Sequence, residues 1–277
     1  MKTIKIITAF VVTLVLSGQT MAQQAAEQKE QLVVPLSQPG KPFKLTVSLL
    51  AGSIKVVGYE GKDVVIDVSG EDKRKKGGGS DKSGGMKRIT AGNGLDVSAE
   101  ENDNNVRVHT SSLNSPVNLV IKVPMSEAKM KLRGTNDGDI IVSNVNGEIE
   151  ASHTNGHVTL TDISGSAVAS STNGNIKVTF KTIDPKAAMA FTSFNGAVDV
   201  TFPATLKANI KAKSDQGDIY SDFDIDADKT QPTVNKTVKN GTYRINIESW
   251  VYGKINLGGP ELMMKTYNGN IYIRKAK

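Results

Sequence analysis

Five glycines, Gly138, Gly147, Gly156, Gly165 and Gly174, recur at intervals of nine residues, and no other feature of the chain restricts its fold as much. A fixed short period belongs to chains that stack one small unit on the next. The residues around each glycine share one grammar, DGDIIV, NGEIEA, NGHVTL and NGNIKV, with SGSAVA as a degenerate copy. It returns at wider spacing at Gly196 (NGAVDV), Gly217 (QGDIYS) and Gly269 (NGNIYI). Two residues after the glycine the side chain is apolar in every copy: Ile140, Ile149, Val158, Ala167, Ile176, Val198, Ile219 and Ile271. Four after it stand Val142, Ala151, Leu160, Ala169, Val178, Val200 and Ile273, with Ser221 as the exception. The positions between are mostly polar. Alternation with period two is a strand with one face buried and one wet, so Ile176 is expected inward and Lys177 outward. Asn-Gly pairs supply tight turns, because both residues accept positive φ at low cost.

A nine-residue unit holds one strand of about five residues plus a turn and cannot bury its own face. Two units make a coil of 18, and the later glycine gaps of 22 and 21 residues add a few loop residues to the same coil. Like residues then stack about 4.8 Å apart. The expectation is an all-β chain forming a parallel β-solenoid, of β-helix or β-roll type, with about 18–22 residues per coil. Its turns fall at the eight glycines, and Asn155, Asn173, Asn195 and Asn268, with Gln216, form an amide ladder along one edge. An antiparallel sandwich of Asn-Gly hairpins is the rival; near-identical copies at a fixed period favour self-stacking.

Segments such as KLTVSLL, DVVIDVSG and NVRVHTS alternate without a common period, so residues 23–133 are expected to form an N-terminal β cap of mixed pairing. Residues 134–277 are then the repeat solenoid. The stretch 71–88 is rich in Gly, Lys and Arg and reads as a mobile basic loop. Residues 224–241 read as a long surface loop, and LGGPELMMKTYNGNIYIRK as the last coil.

The chain opens with Lys2 and Lys5, an apolar run from Ile6 to Leu16, and a small-residue site at Thr20-Met21-Ala22. That is the pattern of a signal peptide over residues 1–22 and implies export through Sec. The run is shorter than the roughly 20 apolar residues a membrane span requires, and no later segment approaches that length. With no cysteine, disulfides, thiolate metal sites and a lipoprotein anchor are excluded, which leaves the periplasm, the cell surface or the medium. The formal charge of +6 loses two units with Lys2 and Lys5, too small a basic balance to mark a nucleic-acid binder.

A strand ending in Val123-Pro124 (VNLVIKVP), repeated [ND]-G-[DEN]-[IV], and a closing LGGPELMMKTYNGNIYIRK together resemble the bacterial putative-adhesin family of β-strand-repeat proteins, DUF4097, over about residues 45–275. The resemblance implies an exported β-solenoid without established catalytic residues. It does not reach the loops at 71–88 and after Asp224.

Four clusters carry candidate chemistry. His153 and His157 flank HTNGH but have no Cys or carboxylate at ligand spacing. Asp222, Asp224, Asp226 and Asp228 alternate with apolar residues; the Gly and distal Glu of a calcium loop are missing, and a wet strand face produces the same pattern. Lys73, Arg74, Lys75 and Lys76 could touch an anionic envelope polymer, or simply be a solvated insertion. Tyr267, Tyr272 and Trp250 gather near the C-terminus, where they either recognise a surface ligand or seal the open end of the stack; Tyr272 occupies an outward slot. No G-x-S-x-G, H-E-x-x-H or paired carboxylates appear, so no enzyme, metal or cofactor is expected. The functional expectation is a non-catalytic adhesin or envelope scaffold that binds a surface polymer or protein. The alternatives are a polysaccharide hydrolase or lyase on a β-helix and a structural envelope-stress component without a ligand.

Overall fold

The computed structural model describes residues 28–70, 97–110, 116–227, 233–239, 242–248 and 250–277. The segment 1–22 and the loop 71–88, with Lys73, Arg74, Lys75 and Lys76, lie outside them. Every helix or strand among the described residues is a strand: β1 (Gln28–Val34), β2 (Phe43–Ala51), β3 (Ile54–Tyr59), β4 (Val64–Gly70), β5 (Val97–Asn102), β6 (Asn105–Thr110), β7 (Val117–Pro124), β8 (Ala128–Asn136), β9 (Ile140–Ser143), β10 (Asn146–His153), β11 (Val158–Asn173), β12 (Ile176–Ile183), β13 (Met189–Asn195), β14 (Val198–Phe202), β15 (Ala208–Ser214), β16 (Ile219–Ser221), β17 (Asp226–Ala227), β18 (Thr233–Lys239), β19 (Thr242–Glu248), β20 (Val251–Ile255), β21 (Glu261–Asn268) and β22 (Ile271–Lys275).

The fold is all-β and solenoid-like. Strands stack in two walls. The first runs β5, β6, β2, β8, β10, the second half of β11, β13, β21, β15, β20, β17. The second runs β1, β4, β7, β3, β9, the first half of β11, β12, β14, β22, β16. Neighbours are parallel from β6 to β15 and from β7 to β16; antiparallel strands close both ends of the first wall and the N-terminal end of the second. The repeat sets the register: Gly147 pairs with Gly165 and Val158 with Ile176, each one 18-residue step away.

Because side chains alternate, the inward positions form apolar columns. Leu119, Ile54, Ile140, Val158, Ile176, Val198 and Ile271 follow one another down the second wall, all at most 1% exposed. In the first wall the column Val47, Leu132, Ala151, Ala169, Phe191, Met264, Ala212 is equally dry. Phe191 packs edge-on against Phe180 and Phe202, which stack on each other at 5.4 Å. Ile219 is only half-buried because β16 is the outermost rung, and Ser221 beside it is exposed. Phe223 folds over this end and is buried, so it covers the interior there.

Three expectations are corrected. The segment beginning at Glu261 is not the last coil: β21 and β22 lie between the β13–β14 and β15–β16 coils. Glycine spacing along the chain counts coils without ordering them in space. Residues 224–241 are not a continuous loop, since β18 within them pairs with β19 as a separate two-stranded sheet. The β-branched alternation on both sides of Asn240-Gly241 is the hairpin signal that the loop reading passed over. Finally, Gly147 and Gly165 lie inside β10 and β11 as bends, with φ of +128° and +109°, whereas Gly138, Gly156, Gly174, Gly196, Gly217 and Gly269 lie outside the strands. At the bends, Asn144 and Asp162 take the left-handed conformation and turn the chain before the glycine is reached.

Candidate functional site

The corner that carries the six loop glycines is built from two hydrogen-bonded rows. Asn155 donates to Asn136, Asn173 to Asn155, Asn195 to Asn173 and Asn268 to Asn195, at 2.7–2.8 Å. Asn136 extends this row although an Asp follows it in place of Gly, which hid it from the Asn-Gly pattern. Gln216, on the outermost rung, is exposed. In the second row a side chain accepts a backbone N–H from the next coil: Asp139 from His157, His157 Nδ1 from Asn175, and Asn175 from Ala197. His157 is thus part of the stacking corner.

His153 belongs to a different column. Its counterparts Ser171, Ser193, Thr266 and Ser214 turn their hydroxyls to the carbonyls of Gly156, Gly174, Gly196 and Gly269 at 2.8–2.9 Å. The imidazole instead fills the space left by Gly134, and neither ring nitrogen has a partner among the described residues although His153 is 3% exposed. Burial holds it below the ordinary histidine value; the Asp139 charge opposes this and His157 adds to it. A folded-state value below the unfolded one means that the unfolded chain binds the proton more readily, so stability is present above the unfolded value and lost as pH falls from about 6.5. The melting temperature is expected to fall between about pH 7.5 and pH 5 more steeply in the wild type than in His153→Ser. Equal slopes in the two proteins would remove His153 as the source.

Charged side chains on the outer face of the first wall pair across coils, Lys129 with Glu148 at 2.8 Å and Lys131 with Glu150 at 2.9 Å. Further along, the same face becomes aromatic. Phe194 and Tyr267, on adjacent strands β13 and β21, stack with centroids 4.9 Å apart and planes 4° apart, while remaining 51% and 42% exposed. Trp250 lies over Lys211 and Lys265, with the ammonium groups 4.9 and 6.0 Å from the ring centre. A hollow of about 360 Å³ opens beside the pair, lined also by Ser152, Ser170, Thr172 and Thr192. On the second wall Tyr272 stacks on Tyr220 at 5.3 Å, receives a hydrogen bond from Asn270 and lies under Arg274, whose guanidinium binds Asp199 through two nitrogens at 2.7 and 3.0 Å. The Asp218 carboxylate beside Tyr220 holds its phenol above the usual range.

The structure therefore separates the residues singled out in the sequence. Tyr267 and Trp250 flank one face and Tyr272 the other. Phe194 and Tyr220, their stacking partners, had no signal beyond being aromatic at outward slots. Asp222 and Asp224 are exposed, and among the described residues no three His, Asp or Glu side chains gather as a metal site.

Residues 135–257, which span most of these coils, match the family model described as Toastrack DUF4097. The likeness to the DUF4097 family covers these residues of the repeat region. No curated protein matches the chain. Among solved structures, a "putative cell adhesion protein" from Clostridium sporogenes ATCC 15579 is similar to it with a TM-score of 0.44 and 13% identity, covering 91% of this chain and 100% of that one. A "putative adhesin" from Bacteroides fragilis NCTC 9343 gives 0.38 and 11% over 91% of this chain and 98% of that one. The DUF4097 stretch contains Phe194, Tyr220 and Trp250, while Tyr267 and Tyr272 are supplied from beyond it by the inserted coil. No helix of the described residues is long and apolar enough to cross a membrane.

Proposed function

We propose that this chain is an exported, non-catalytic, adhesin-like protein that holds an envelope polymer or a surface protein against its regular outer faces. In this reading residues 1–22 direct export through Sec, residues 23–133 cap a parallel β-solenoid of 18–22-residue coils, and residues 134–277 present the binding surface in the periplasm or at the cell surface. The supporting observation is the pair of aromatic stacks on the outer faces, Phe194–Tyr267 and Tyr220–Tyr272, in which Phe194, Tyr267 and Tyr220 are exposed. A folding core gains nothing from rings left in water, whereas amphipathic aromatics are favoured where a partner covers them.

The test is retention of the mature protein, purified without residues 1–22, on isolated envelope fragments, alongside a panel of polysaccharide hydrolase and lyase assays. Saturable retention without turnover is the expected result. Polysaccharide cleavage without retention would replace this reading with the enzyme.

A further inference from the structure

We propose that the hollow beside Phe194 and Tyr267 is a binding site for a neutral pyranose oligosaccharide. This rests on the adhesin-like reading and specifies its ligand and place.

The chemistry follows from what successive rungs put side by side. Register places Thr172 opposite Phe194 on one side and Asp215 beyond Tyr267 on the other. The outward row therefore steps from a small hydroxyl side chain to two rings and down to a carboxylate. Each ring covers one face of its neighbour, so the Phe194 face on the Thr172 side stays open to the hollow. A second outward row, Ser152, Ser170 and Thr192, runs parallel to it and adds hydroxyls to the lining.

A pyranose ring has an apolar face of C–H groups and a rim of hydroxyls. The aromatic face takes the first, and the Ser and Thr hydroxyls, each both donor and acceptor, take the second. Rungs about 4.8 Å apart repeat these partners along the stack, which suits an extended chain of sugars rather than a single one. The charges are nearly spent: Asp215 is bound to Lys213 at 3.0 Å, and Lys265 lies toward the Trp250 ring. An anionic polymer would find one cation here. A protein partner, or a second copy of this chain, would need roughly 800 Å² per side with an apolar centre, and hydroxyl-lined surface with two rings does not provide it.

Trp250 is the sole tryptophan of the chain, and its contact with Lys265 places a fluorescent reporter at the rim. The mature protein is titrated with cellotetraose, chitotetraose and maltotetraose, followed by Trp250 emission and by calorimetry. At least one probe is expected to bind saturably. Phe194→Ala and Tyr267→Ala should each weaken it by about tenfold or more, with Lys177→Ala on the opposite wall without effect. Both rings are about half exposed, so neither substitution should lower the melting temperature appreciably, and folding can be verified in each variant. Failure of all three probes, or binding that survives both substitutions, overturns the proposal. If the wild type still holds envelope fragments in that event, the adhesin-like reading stands without this site; if retention fails too, both fall. A dimer abolished by Phe194→Ala would reassign the hollow to self-association and likewise overturn the proposal.

Discussion

Replacing Ile271 by Asp is expected to destabilise the protein as severely as replacing Ile176 by Asp, although Ile271 belongs to the final repeat of the chain. Both side chains are fully buried and occupy the same column, Ile271 between Val198 and Ile219 and Ile176 between Val158 and Val198. Each substitution loses about 1.5–3 kcal/mol of burial and adds a carboxyl group with no partner, for a total of about 4 kcal/mol or more. Ile219, half-buried on the outermost rung, should lose about half as much when changed to Asp. Lys177→Asp, beside Ile176 on the wet face, should be nearly silent. Urea denaturation of the four variants reads the difference. If Ile271→Asp were as mild as Ile219→Asp, the C-terminal coil would lie at the end of the stack and the intercalated order would be wrong.

Gly174→Ala is expected to cost about 3 kcal/mol or more, the upper range for overpacking, although it adds one methyl group. Its Cβ would overlap the Gly156 carbonyl oxygen and stand 2.5 Å from the carbonyl carbon, both backbone atoms of the adjacent coil. Backbone in a parallel ladder cannot yield without lengthening the hydrogen bonds that join the coils. The glycines of this corner touch in sequence, Gly138, Gly156, Gly174, Gly196, Gly269, Gly217, so the distortion would reach both neighbours. Gly40→Ala is the control. Gly40 has a positive φ of +82° but nothing within 4 Å of its Cβ site, so it should pay only the left-handed strain of about 1–2 kcal/mol. Equal denaturation midpoints for the two variants would mean that conformational strain, rather than contact between coils, explains the glycine column.

The candidate surface was less legible than the core. Alternation identifies Tyr267 and Tyr272 as outward, but the partner of each ring depends on which strand lies beside it. Phe194 and Tyr220 come from repeats 73 and 52 residues earlier. His153 shows a related limit: HTNGH divides into a corner residue, His157, and a buried one, His153, because the two stand on opposite sides of a turn. The basic residues Lys73, Arg74, Lys75 and Lys76 lie outside the described residues.

Side-chain period, glycine spacing and the Asn-Gly pairs were enough to determine an all-β chain of stacking units and which residues face the core, because these depend on each strand's own geometry and on contacts repeated at every rung. Tertiary structure alone decided the order of the rungs. Parallel pairing offers a nearly identical edge at each coil, so local sequence does not distinguish the place between β14 and β16 from the place beyond β16. The position of β22 there, and with it the meeting of Tyr267 with Phe194 and of Tyr272 with Tyr220, follows from where the whole chain returns.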